Sequence, residues 1–330
     1  MNSPAAPPGA PRARRWPRLR RYLRPFALAV VAVFATLYLI DEWDEISAGL
    51  GRLDLGAVGA AFALVLLGLA FTTMTWRAAL GGLGSPLSVI TASRIFLLGE
   101  LGKYVPGGVW PVVAQSVLSR DHGVRRTRAI LAGMVRWVVS VVMGVVVAMV
   151  TLAFSSPEAL HAYWWLTILA AGGVVSLVPA VFNWWFPAAL TLVRRGDSIE
   201  PISARAMLEA CLWTTAMWLA FGLHLWFLAR SLGAPAEGLL LLTTGGYALA
   251  WVVGFVIVVL PAGAGAREAA LVLVLATALS REDALVLALV SRFLMLLADG
   301  TSAGLAVMVA RLGGWGHTVA QVRAQAPRNG

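Results

Sequence analysis

Ile95-Phe96-Leu97-Leu98-Gly99-Glu100-Leu101-Gly102-Lys103-Tyr104-Val105-Pro106-Gly107-Gly108-Val109-Trp110 is an apolar stretch interrupted at its centre. Pro106 offers no amide N–H, and Gly107 and Gly108 tolerate backbone angles that a helix excludes. The break divides a longer apolar segment, 87–118, into halves of about 15 residues. Each half is about 22 Å of helix, short of the ~30 Å hydrocarbon core of a bilayer. Arg77 lies ahead of the segment, and Arg120, Arg125, Arg126 and Arg128 follow it. Both ends therefore favour the same membrane face. A hairpin that dips into the bilayer and returns satisfies both constraints.

The rest of the chain supports this reading. Of its 330 residues 59% are hydrophobic and 13% charged, and mean hydropathy is +0.80. A soluble domain is about half apolar and roughly a quarter charged, so composition excludes a soluble enzyme, a disulfide scaffold and a disordered chain. Six apolar runs are long enough to span: Phe26–Ile40, Ala57–Trp76, Ala129–Phe154, Tyr163–Phe182, Ala206–Ala229 and Ala284–Ala310. The first reads as a retained helix rather than a cleaved signal. Asp41-Glu42-Trp43-Asp44-Glu45 follows it, with no small-residue cleavage site. Residues 1–25 read as a disordered basic cytoplasmic tail, 26–312 as one transmembrane domain, and 313–330 as a second cytoplasmic tail.

Segment 238–280 is a second broken apolar stretch, interrupted at Pro261-Ala262-Gly263-Ala264-Gly265. Its first part, 238–260, is long enough either to cross fully or to form half of a hairpin. The two broken segments resemble each other. Leu83-Gly84-Ser85-Pro86 precedes the first and Leu232-Gly233-Ala234-Pro235 the second. Arg136 lies 30 residues beyond Pro106, and Arg292 lies 31 beyond Pro261. The fold expected is all-α and polytopic, in two repeats (about 26–154 and 163–311), each with three spanning helices and a re-entrant broken-helix hairpin. Three helices per repeat make the second copy inverted. With the N-terminus inside, 18 Lys and Arg fall in cytoplasmic segments and three (Arg52, Arg230, Arg281) outside. This is the positive-inside distribution of a plasma-membrane protein with both termini cytoplasmic. It also accounts for the net charge of +10 without nucleic acid as a partner. Inverted repeats whose broken helices meet near the midplane are a transporter architecture.

Gly99-Glu100-Leu101-Gly102-Lys103-Tyr104-Val105-Pro106-Gly107-Gly108 and Leu260-Pro261-Ala262-Gly263-Ala264-Gly265-Ala266-Arg267-Glu268-Ala269-Ala270 resemble motifs of the transmembrane region of lysylphosphatidylglycerol synthases. The resemblance covers about residues 25–312. It implies a flippase-like membrane protein that moves lipid between leaflets. The cytoplasmic aminoacyl-transfer domain of the synthases has no counterpart here, so their synthase activity is not carried over. Members often carry an acidic residue just before the arginine of the third helix, whereas Val135 precedes Arg136 here.

Ionisable side chains at membrane depth are costly and mark functional sites. Arg267 and Glu268 open a half-helix, where the dipole favours a carboxylate. Arg267 is placed to pair with that carboxylate or with a ligand phosphate. Glu100 and Lys103, three apart, share a helix face and form either an ion pair or part of a cavity wall that Tyr104 extends. Arg136, toward the cytoplasmic face, and Arg292, toward the outer face, offer successive guanidinium holds for a lipid phosphate. Alternatively Arg292 pairs with Asp299. These six, Glu100, Lys103, Arg136, Arg267, Glu268 and Arg292, are the headgroup-binding candidates. Pro106, Gly107, Gly108, Pro261, Gly263 and Gly265 are the hairpin breaks. Arg94, Glu209 and Gln115 are weaker candidates, and His224 reads as a packing residue. Trp164, Trp165, Trp184, Trp185, Trp213, Trp218 and Trp226 read as interfacial belts. The single cysteine, Cys211, excludes an intrachain disulfide, and the four histidines make no metal pattern. No Walker loop, zincin helix or G-x-S-x-G elbow is present, so no cofactor, metal or catalytic residue is expected.

The function expected is movement of an anionic phospholipid or lipid-linked intermediate between leaflets. The partners are then membrane lipids, with an enzyme of lipid or glycolipid synthesis as a further partner. The alternatives are a membrane-embedded transferase using Glu100 or Glu268 as general base, and a non-catalytic scaffold subunit.

Overall fold

The computed structural model describes residues 43–104, 108–155, 164–191, 201–257 and 265–312. The run Phe26–Ile40, both tails and the break residues Pro106, Gly107, Pro261 and Gly263 lie outside them. The described residues form eleven α-helices: α1 (Trp43–Gly51), α2 (Leu55–Gly82), α3 (Val89–Glu100), α4 (Trp110–Leu118), α5 (Arg126–Ser155), α6 (Trp164–Leu177), α7 (Pro179–Thr191), α8 (Ala204–Ser231), α9 (Leu239–Val256), α10 (Ala266–Leu275) and α11 (Arg281–Leu312). Two 3₁₀ turns, Leu101–Tyr104 and Ser119–His122, extend the arms of the first broken segment. Helices α2, α5, α8, α9 and α11 are each long and apolar enough to cross a bilayer. The chain is thus an all-α, multi-pass membrane protein.

Helix starts and stops follow local chemistry. Asp54, Ser88 and Ser203 cap α2, α3 and α8, each side-chain oxygen accepting from the backbone N–H three residues on. The two Leu-Gly motifs end α2 and α8 in the same way. Gly84 (φ 75°) and Gly233 (φ 88°) take the left-handed conformation. Ser85 N–H then donates to the Leu80 carbonyl at 3.1 Å, and Ala234 N–H to the Ala229 carbonyl at 3.1 Å. Each is the closing bond of a Schellman cap, which needs a residue free to adopt positive φ.

The apolar run Tyr163–Phe182 is not one straight helix. α6 stops at Leu177, α7 starts at Pro179, and the axes bend by 90°. Pro179 is the cause, because its ring excludes the helical region for Val178 and it supplies no N–H. α7 is held on both sides: Asn183 exchanges two hydrogen bonds with the Ile202 backbone, and Trp185 Nε1–H donates to the Ser176 carbonyl at 3.0 Å. Helix α9, at 18 residues, is long enough to cross, whereas α3 at 12 residues is about 18 Å long and is not. The two broken segments therefore differ in the length of their first arm.

The most extensive contact is between α2 and α8. Exchanging α2 with α8, α3 with α9, α4 with α10 and α5 with α11 carries the other main contacts onto one another. Thus α3 packs on α11 as α9 packs on α5, and α4 on α5 as α10 on α11. Small residues permit the closest approaches. At Gly222 a methyl group would come within 2.6 Å of the Thr244 Cα, and backbone cannot step aside as a side-chain tip can. Gly222→Ala is expected to cost about 1–3 kcal/mol, read as a lower unfolding temperature. A variant as stable as wild type would show that α8 and α9 do not need this proximity. Trp218, read above as part of an interfacial belt, is instead fully buried, edge-on to Trp251 with ring centroids 5.4 Å apart.

Candidate functional site

The two broken segments and the helices that follow them bring their charged side chains together. Arg136, about three turns into α5, is 3% exposed. Its guanidinium lies 5.3 Å from the centre of the Phe96 ring, and Nη2 is 3.7 Å from Glu100 Oε2 at the end of α3. Arg292 of α11 sits at the corresponding place, with Nε 3.7 Å from Glu268 Oε1 at the start of α10. At 3.7 Å neither pair makes a hydrogen bond. The two arginines match in position, whereas their carboxylates come from opposite arms of the breaks.

Lys103 does not pair with Glu100, three residues before it on the same arm. It reaches across to Asp299 of α11, with Nζ 2.9 Å from Oδ1 and 2.7 Å from Oδ2. The Tyr104 hydroxyl donates to the same carboxylate. Asp299 is therefore taken by the first broken segment and not by Arg292, seven residues back on its own helix. The side chain of Arg267 turns from Glu268 to Tyr247 of α9. It donates to the hydroxyl and lies 4.6 Å from the ring centre. Glu268 accepts from the Gly265 N–H at 2.6 Å, which holds it at the positive end of α10. Gly265 (φ 85°) and Gly108 (φ 67°) use the left-handed conformation at the edges of the breaks. The charges of Arg267, Arg292 and Asp299 all act on Tyr247, and those of Arg292, Asp299 and Glu100 on Tyr104. The groups thus form one electrostatic unit of four cations (Lys103, Arg136, Arg267, Arg292) and three carboxylates (Glu100, Glu268, Asp299).

Around Arg136 several polar atoms are buried without a hydrogen bond among the described residues: Arg136 Nε, Glu100 Oε2, Ser140 Oγ and both amide atoms of Gln115. Gln115 has no exposed surface and packs against Gly99, where a Cβ would meet its Cγ and its backbone N. A buried polar atom left unpaired costs about 1–3 kcal/mol. Several together mark a place suited to water or a polar ligand.

Sequence reasoning assigned no role in the cluster to Tyr247 or Ser140. Tyr247 gives no signal in an apolar helix. Asp299 entered only as a neighbour of Arg292, although a lone acid inside the apolar run Ala284–Ala310 is itself a signal. His224 is satisfied, as expected of a packing residue. The Phe221 carbonyl can only accept, so Nδ1–H donates to it, and Nε2 accepts from Ser291 Oγ at 2.9 Å. Glu209 pairs with Arg205 one turn away on an exposed face. Among the described residues no His, Cys, Asp and Glu side chains cluster as a metal site.

A search of the curated proteins finds no match to the chain. The model of one protein family matches residues 25–300, a span that holds both broken segments and all seven charges of the cluster. With that extent of match, and with the charged cluster assembled by both motifs that first carried the resemblance, the chain belongs to the family of the lysylphosphatidylglycerol synthase transmembrane region.

Proposed function

We propose that this protein moves an anionic phospholipid, or a lipid-linked intermediate bearing a phosphate diester, between the leaflets of the plasma membrane, with both termini cytoplasmic. The observation that carries the reading is the charge balance of the cluster. Four cations face three carboxylates, so one positive charge is in excess, matching the single negative charge of a phosphate diester. A bare excess charge at this depth is unfavourable, and a bound headgroup offsets it. Arg267 is the first hold, since its described partner, Tyr247, is neutral. Arg136 follows, because a carboxylate at 3.7 Å leaves its guanidinium to the bidentate geometry that phosphate favours, and Arg292 holds the matching position on α11. The acyl chains stay in lipid, no covalent bond changes, and no nucleotide is consumed.

Reciprocal packing of the two helix sets and their identical Schellman caps support two copies of one unit. The loop charges support placing those copies in opposite orientations. The two candidate general bases, Glu100 and Glu268, each lie 3.7 Å from an arginine, Arg136 and Arg292.

The test is headgroup movement in reconstituted vesicles, followed with a fluorescent anionic phospholipid and a membrane-impermeant quencher. Arg267→Gln is expected to slow movement about tenfold, the loss of one charge-assisted hydrogen bond. Wild-type protein that moves no more lipid than empty vesicles, or Arg267→Gln at the wild-type rate, would overturn the reading.

A further inference from the structure

Away from the charged cluster, α2, α3 and α11 enclose a cleft of about 380 Å³, within the ~300–1,000 Å³ range of ligand pockets. Its wall is largely apolar, built by Leu66 and Ala70 of α2, Leu97 of α3, and Leu305 and Val309 of α11. Two basic side chains join that wall, Arg94 of α3 and His122 of the 3₁₀ turn after α4. They sit together, since the Arg94 charge acts directly on His122. Burial and that charge hold the imidazole below its ordinary value, so Arg94 is the fixed cation of the cleft. It is half-buried, and none of the ion pairs among the described residues involves it. It also lies six residues beyond the cap Ser88, about 9 Å of helix rise from the start of α3. Arg94 is thus midway along the 12-residue α3.

We infer that this cleft is a binding site for an anionic glycerophospholipid, with its phosphate on Arg94 and one acyl chain between α2 and α11. The charge selects the occupant. An apolar molecule would leave a guanidinium without a counterion beside hydrocarbon, and a free phosphate would leave the apolar wall unused. The site shares no residue with the cluster of Arg136, Arg267 and Arg292, so it stands or falls independently of lipid movement.

The experiment uses the full chain in vesicles carrying phosphatidylglycerol or phosphatidylcholine, each with a photoreactive diazirine on one acyl chain. Cross-links are mapped by mass spectrometry. Phosphatidylglycerol is expected to label the 302–309 segment about tenfold more than phosphatidylcholine does, the discrimination of one charge-assisted contact. Arg94→Gln should abolish that preference, Arg94→Lys should keep most of it, and Ala70→Phe should reduce labelling by both lipids by filling the apolar end. Equal labelling by the two lipids in the wild type would overturn the proposal, as would a preference that survives Arg94→Gln. Should Arg94→Gln fail to fold, phosphatidylglycerol labelling of the 302–309 segment that stays at the wild-type level in Ala70→Phe would count against it equally.

Discussion

Arg136→Met alone is expected to destabilise the protein by about 3–5 kcal/mol, whereas Arg136→Met combined with Glu100→Leu should be as stable as wild type or more so. The single change leaves the Glu100 carboxylate, 15% exposed, without its counter-charge. Stranding one member of a buried pair carries a cost of that size. Removing both members takes away the desolvation of two charges along with their attraction, which often leaves stability unchanged or improved. The geometry favours that outcome here, because the partners stand 3.7 Å apart and Arg136 Nε and Glu100 Oε2 make no hydrogen bond among the described residues. Cys211 is the only cysteine and lies half-buried in α8, so a thiol-reactive fluorophore reports unfolding without further engineering. A double variant as unstable as the single one would show that the pair is not the origin of the loss. The double variant also separates stability from function: on the proposed reading it folds yet moves lipid poorly, having lost one hold for the phosphate.

Replacing Asp299 with Ala is the second large effect. This carboxylate, 4% exposed, holds Lys103 at 2.7 Å and accepts from Tyr104. Two donors lose their acceptor at once, at about 1–3 kcal/mol each. The expected loss is about 3–4 kcal/mol, concentrated where the first broken segment meets α11. Hydrogen exchange should rise at residues 101–104 and along α3, while the contact between α2 and α8 keeps its protection. Asp299→Asn keeps an acceptor for Tyr104 but not the charge for Lys103, so it should fall between wild type and Ala. Equal stability of all three proteins would mean that the contact contributes nothing net.

Much of this arrangement is legible in the sequence, for physical reasons. Hydrocarbon demands long apolar runs, so the spanning parts of α2, α5, α8 and α11 announce themselves. Proline and glycine act on their own backbone, so the two Leu-Gly caps are legible too. The positions of Arg136 and Arg292 follow from their spacing after the two prolines. Partner choice is not legible, because it depends on which arm of a broken segment faces which helix. The i+3 neighbour of Glu100 and the i+7 neighbour of Arg292 are the natural guesses along one helix. Tertiary packing overrides both: Lys103 goes to Asp299, Glu100 to Arg136 and Glu268 to Arg292. The elbow between α6 and α7 is a different case. Pro179 signalled it, and the apolar run across that proline concealed it.

The reach from Lys103 to Asp299 spans 196 residues of chain, and this has a bearing on biosynthesis. At ~5–20 residues per second, a ribosome takes roughly 10–40 s to supply the acid after the lysine has been made. Throughout that interval the nascent first broken segment carries an ammonium group without the partner that it has in the folded chain. Glu100, insertion machinery, water or lipid phosphate then shelters it until α11 arrives.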